Sequence, residues 1–193
     1  MKKLLFIVLL FCFNPLALAD WTLDNERSQL NFNSVKNESI IETHRFITLQ
    51  GSIADEGNAK LRVELSSVDT KIALRDDRLR QILFETLKYP QAEFVAQIDK
   101  KPVEKLAVGD SMTQTVQGDL QLHGKTKSIT ASVKVTRLAD GALEVTTEQP
   151  ILVNADDFGL QPGIEKLREM MGLKSINTQV PVSFHLVFVE QAE

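Results

Sequence analysis

The chain has 193 residues, with 22 Lys and Arg against 26 Asp and Glu, three histidines and one cysteine. The acidic balance argues against a nucleic-acid partner, because phosphate binding needs a basic face. The lone Cys12 lies in an apolar leader, so disulfides, thiolate nucleophiles and cysteine-ligated metals are excluded from the mature protein.

Lys2 and Lys3 precede an apolar run from Leu4 to Phe13, and Ala17-Leu18-Ala19 has the small-x-small pattern that signal peptidase cuts. Residues 1–19 therefore read as a cleaved secretory signal, leaving one domain over 20–193, a periplasmic location and no integral membrane segment. The apolar run is shorter than the roughly 20 residues that span a bilayer. Phe11 before Cys12 does not fit a lipid-attachment site, which calls for a small residue there, so no lipid anchor is expected. Removal of the leader leaves 20 Lys and Arg against 26 Asp and Glu, a net charge of about −6.

Leu30 and Phe32 alternate with polar residues and predict a half-buried strand. Asn37-Glu38 is a turn, and a strand from Thr43 to Ile53 aligns Ile47, Leu49, Gly51 and Ile53, with Gly51 marking a bend or bulge. Asp55-Glu56-Gly57-Asn58 is a hairpin turn. Lys60 to Leu65 interleaves three charged with three aliphatic residues, the pattern of an antiparallel strand with one wet and one dry face.

A charged turn, Arg75-Asp76-Asp77-Arg78, opens an amphipathic helix with Leu79, Ile82, Leu83 and Leu87 on one stripe, stopped by Pro90. Its aspartates suit the positive helix end and cap free amides; alternatively, Arg75 or Arg78 faces a cavity mouth and binds a polar head. Strands follow, aligning Phe94, Ala96 and Ile98, then Val116, Gly118, Leu120 and Leu122. After a His123-Gly124-Lys125-Thr126 turn come Ile129, Ala131, Val133 and Val135, and beyond Ala139-Asp140-Gly141 come Leu143 and Val145. Ile164, Leu167 and Met171 predict a second helix capped by Gly172. Val180 to Val189 is the last strand.

Eight or nine strands at hairpin spacing with two short helices predict an all-β fold, most economically an up-and-down antiparallel barrel that leaves no open edge. No G-x-S-x-G elbow, H-E-x-x-H pair or glycine-rich phosphate loop occurs. His44, His123 and His185 fall in separate segments and read as structural, so neither catalysis, a metal nor a cofactor is expected.

Three blocks carry a resemblance. They are Ser67-Val68-Asp69-Thr70 with Arg75-Asp76-Asp77-Arg78-Leu79 and Tyr89-Pro90-Gln91-Ala92-Glu93-Phe94; Gly118 to Lys127, reading G-D-L-Q-L-H-G-K-T-K; and Asp157-Phe158-Gly159. With these the chain resembles the YceI-like family of secreted lipid-binding proteins from Trp21 to about Phe188. The resemblance implies a lipocalin-like barrel of about eight strands holding a long polyisoprenoid or similar apolar lipid, such as a quinone tail, for transport, storage or sequestration. Arg78 stands where many members have histidine, and Asn33 to Phe46 fits the common pattern poorly; both mark a subgroup.

The cavity candidates are Phe32, Leu49, Ile53, Leu65, Leu79, Leu83, Phe94, Ala96, Leu120, Leu122, Val133, Phe158, Leu167, Met171 and Phe184. Arg75, Asp76 and Arg78 are candidates for a polar head or helix anchor. The alternative is a periplasmic module with a filled core, acting through its surface on a membrane redox protein. An open apolar interior favours the first reading and a packed one the second.

Overall fold

The computed structural model describes residues 19–54 and 56–191. Nearly all of the expected signal, and Asp55 of the expected turn, lie outside the described residues. Alternating apolar residues build twelve antiparallel strands in one sheet. In chain order these are β1 (Ala19–Leu23), β2 (Gln29–Lys36), β3 (Ile40–Phe46), β4 (Leu49–Ala54), β5 (Asn58–Glu64), β6 (Val68–Asp69), β7 (Gln91–Gln97), β8 (Ser111–Leu122), β9 (Lys125–Arg137), β10 (Leu143–Thr147), β11 (Ile151–Asn154) and β12 (Gln179–Glu190).

Four consecutive pairs, β1/β2, β3/β4, β5/β6 and β10/β11, are single bent wall strands, so the twelve make an eight-stranded up-and-down barrel. Closure falls on β12, which pairs with β1 (Leu23↔Phe188) and β2 (Phe32↔Val182) along one edge and with β10 and β11 along the other. Among the described residues the main wall strands are paired on both sides, and only the short β6 and β11 pair on one side. Over most of the wall apolar residues point in and charged ones out: Arg62, Asp119 and Lys134 are exposed on the outer face. A membrane-spanning barrel has the reverse pattern.

Helices occupy the two ends. One end carries α1 (Ala73–Arg78), which runs on into a π-helical turn at Leu79–Leu83, together with α3 (Gln161–Met170). Gly163 lets α3 lie directly on that turn, since a Cβ there would stand 2.7 Å from the Ile82 carbonyl oxygen and 3.1 Å from Leu83 Cα. The hairpins 36–40 and 122–125 share this end. The opposite end carries the short α2 (Lys101–Glu104), where Trp21, Ile98, Val103 and Leu143 converge and the Arg137 guanidinium lies 5.2 Å from the Trp21 ring centre.

Several local expectations need correction. The strand expected from Thr43 to Ile53 breaks at Ile47 and Thr48, whose amides both donate to Ser67 Oγ, at 3.2 and 3.0 Å. The break swaps the strand's parity, so Phe46 and then Leu49 are buried while Ile47 is exposed. Gly51 is no bulge; a Cβ there would approach Leu23, Lys60 and Phe188 to 3.2 Å, making it a point of close packing. The first helix ends before Pro90, because Glu85 adopts a left-handed φ of 47°. Leu87 then falls outside the helix, and it is fully exposed rather than on the stripe. Helix α2 and strand β11 were not legible, being four residues each. The Gly172 cap forms as expected, with φ 61° and its amide donating to the Glu169 carbonyl at 3.1 Å.

Candidate functional site

The barrel is not filled by its own side chains. A cavity of about 200 Å³ runs inside it, and its wall is apolar apart from Lys60 and Gln114. Inward residues such as Leu61, Phe94, Val116, Ile129, Val182 and Phe184 are therefore only half-buried although they point away from bulk solvent. A second cavity, about 90 Å³ and partly open, lies under the helices at the α1/α3 end. Val180 and Val182, neighbours on the inward face of β12, belong to the smaller and the larger cavity respectively. The two spaces thus follow one another along the strand.

The smaller cavity is two-faced. Phe32, Leu79, Leu83, Ile164, Leu167 and Met171 supply an apolar side, and Ser34, Lys36, Glu42, His44, Arg75 and Arg78 a polar one. Ser34 and Lys36 project from β2, and Glu42 and His44 from β3, at inward positions where the alternation would otherwise place aliphatic residues. Glu42 binds Lys36 and accepts from Arg75 Nη1 at 2.7 Å, while Arg75 Nη2 donates to the Thr70 carbonyl at 2.7 Å. Arg75 is held in turn by its loop: Asp76 Oδ1 accepts from the amide and hydroxyl of buried Thr70 at 2.9 and 2.5 Å. His44 is buried, with Nε2 3.0 Å from Ser34 Oγ; its Nδ1 and Arg75 Nε are enclosed without a partner. Arg78 makes no ion pair among the described residues.

Burial holds the His44 imidazole below its ordinary value, and Arg75 pushes the same way against Glu42. Glu42 is held below the usual carboxylate range mainly by its hydrogen bond from Lys36, with burial opposing. The unfolded chain therefore takes up a proton at position 44 before the folded one does. His44 contributes stability that is complete above about pH 6.5 and is lost as pH falls below that value; Glu42 adds a further loss below about pH 4.5. Urea midpoints at pH 7.5 and 5.5 test this: the wild type is expected to be weaker at pH 5.5, and His44→Asn to reduce the difference. An unchanged difference in the variant would assign the acid sensitivity elsewhere.

A family model described as a YceI-like domain matches residues 21–188. The chain belongs to the YceI-like family. A polyisoprenoid binding domain from Saccharophagus degradans, implicated in plant cell wall breakdown, is similar to it at 39% identity and TM-score 0.88, over 90% of this chain and 100% of that one. Burkholderia cenocepacia BcnA is 21% identical at TM-score 0.65, covering 86% of this chain and 98% of its own, a likeness of fold. Protein YceI of Escherichia coli O157:H7 is 38% identical over 88 residues, which are 45% of this chain and 41% of that protein. The match thus spans less than half the length of that relative.

In this YceI-like barrel the sequence-derived candidates divide three ways. Ile53, Phe94, Leu120, Val133 and Phe184 line the larger cavity. Phe32, Leu79, Leu83, Leu167 and Met171 line the smaller one beside Arg75 and Arg78. Leu49, Leu65, Ala96, Leu122 and Phe158 line neither; they are buried wall and end packing, with Leu65 and Phe158 only 1% exposed. Asp76 also stays out of the cavities, because both its contacts serve Thr70. Sequence reasoning missed Lys36, Glu42 and His44. Their signal was the i, i+2 spacing of polar residues on strands that otherwise alternate.

Proposed function

We propose that the protein is a periplasmic carrier that encloses a long-chain polyisoprenoid or similar apolar lipid, with its tail along the barrel axis and its polar head at the Arg75/Arg78 end. The observation that carries this reading is the nearly all-apolar wall of the larger cavity. Water finds too few polar partners there to be held, whereas a hydrocarbon exchanges a hydrated surface for a dry one. End to end, the two spaces approach the lower part of the roughly 300–1,000 Å³ range of small-molecule pockets. That favours a slim chain over a bulky ring system.

Magnitudes agree with a chain of several units. At roughly 0.8 kcal/mol per CH₂-sized group, one five-carbon unit gains about 4 kcal/mol. The lost freedom of association costs about 4–15 kcal/mol, so roughly one to four enclosed units offset it and further units supply the net affinity. The similarity to the polyisoprenoid binding domain supports the same ligand class. The module with a filled core acting on a membrane redox protein requires a packed interior, and the open lumen weighs against it.

Native purification followed by solvent extraction and mass spectrometry tests the proposal. An isoprenoid or fatty compound at near-stoichiometric yield is expected. Failure both to recover such a compound and to load one into the delipidated protein would overturn it.

A further inference from the structure

Exposed apolar side chains are not spread evenly over this molecule. Of the eleven large hydrophobics exposed among the described residues, six belong to the three segments that border the smaller cavity through Glu42, Arg75 and Met171: Ile40, Ile41, Ile72, Leu74, Met170 and Met171. Three separate segments bring them there. Ile40 and Ile41 follow the 36–40 hairpin, which is tied to the segment after α3 by Asn37 Oδ1, accepting from the Lys174 amide at 2.8 Å, and by the Asn37 amide, donating to the Ser175 carbonyl at 3.0 Å. Ile72 and Leu74 flank the start of α1, joined to β3 through the Arg75–Glu42 pair, and Met170 and Met171 end α3. Leu74 is 61% exposed and Ile41 66% exposed, and neither lines a cavity. Their apolar surface serves neither the core nor the lumen. Scattered apolar residues need no explanation; a group around one opening does.

Charge at the same end differs from that of the chain. Lys71, Arg78 and Lys174 make no ion pair among the described residues, and Lys36 and Arg75 share one carboxylate, Glu42. The acids there offset only part of this: Asp77 pairs with Arg80, Glu165 and Glu169 share Arg168, and Asp76, bound to the neutral Thr70, and Glu38 keep their charge, so the named cations outnumber the named acids by one. This end is cationic on balance in a chain of net charge −4.

We propose that the α1/α3 end docks on the surface of an anionic lipid bilayer, so that an apolar ligand passes between membrane and barrel without crossing water. An apolar rim flanked by lysines and an arginine matches the acyl–headgroup boundary of such a bilayer, and the rim borders the opening of the cavity. A protein partner would match the apolar area but would not require it to lie beside the ligand's entrance. This inference rests on the carrier reading and adds the route of loading.

Transfer kinetics test it. A fluorescent isoprenoid alcohol is offered to the delipidated protein from phosphatidylcholine vesicles with and without phosphatidylglycerol, and separately from detergent solution. Docking predicts a transfer rate that rises with vesicle concentration and with anionic lipid. The double variant Ile41→Gln/Leu74→Gln is expected to slow transfer from vesicles roughly tenfold, because less apolar rim is buried on docking, and to load from detergent as the wild type does. A rate independent of vesicle concentration, or one unchanged in the variant, would overturn the inference. Failure of the wild type to load from detergent would instead sink the carrier reading. Flotation of ligand-free protein with the same vesicles still decides docking in that event: association weakened in the variant supports it, and no association with either vesicle overturns it.

Discussion

Replacing Val116 with phenylalanine is expected to weaken isoprenoid binding roughly a hundredfold while leaving the fold intact. Val116 lies on the inward face of β8, opposite Ala131 of β9, and is half-buried only because it borders the larger cavity. Phenylalanine adds four carbon atoms, which enter space that nothing else fills. Each displaces a ligand group worth about 0.8 kcal/mol, so the loss is about 3 kcal/mol, or a little over two decades in Kd. Overpacking normally costs stability, but here the added ring gains apolar contacts inside an existing void, so the urea midpoint is expected to hold or rise. Titration of the delipidated variant with an isoprenoid alcohol, beside a urea melt, checks both halves. Unchanged affinity would place the ligand outside the barrel.

Gly118→Val is expected to do the opposite, destabilising the barrel by about 3 kcal/mol and lowering Tm by roughly 6–12 °C. A Cβ at Gly118 would stand 2.5 Å from both Phe94 Cζ and the Val95 carbonyl oxygen, and 2.8 Å from Ala96 Cβ. The first contact is with the end of a ring, but the second is with the backbone of the paired strand and cannot be relieved by a rotamer change. Gly118 is what allows the Phe94 ring to lie against β8 and line the cavity. Thermal unfolding followed by circular dichroism checks the prediction; a variant as stable as the wild type would mean that β7 and β8 can separate without cost.

Much of the architecture follows from periodicity alone. Lys60 to Leu65 and Ile129 to Val135 alternate strictly, and a strand with one dry face has to find a sheet. Eight such strands at hairpin spacing close most simply into a meander. Part of the cavity wall was legible for the same reason: Phe94, Leu120, Val133 and Phe184 sit at inward positions that alternation identifies. Where the pattern failed, a distant atom had intervened. Ser67 Oγ takes the amides of Ile47 and Thr48 and reverses the parity of the strand, and no local rule anticipates a partner some twenty residues away. Leu87 fits the helical stripe in sequence, yet the left-handed turn at Glu85 had already ended the helix.

The sequence by itself determined an all-β chain with inward apolar faces, two short helical excursions and the motifs of the YceI-like family, because each of these is written in neighbouring residues. Whether the inward faces meet or leave a lumen was decided only by tertiary structure. Leu65 and Val63 look alike as aliphatic residues of one alternating run, but the first is wall packing at 1% exposure and the second lines the cavity. The polar end of the site has the same origin. Lys36 and Glu42 meet across the β2/β3 hairpin, but Arg75 reaches Glu42 from a segment some thirty residues on, because β6 pairs with β3 and carries α1 beside it.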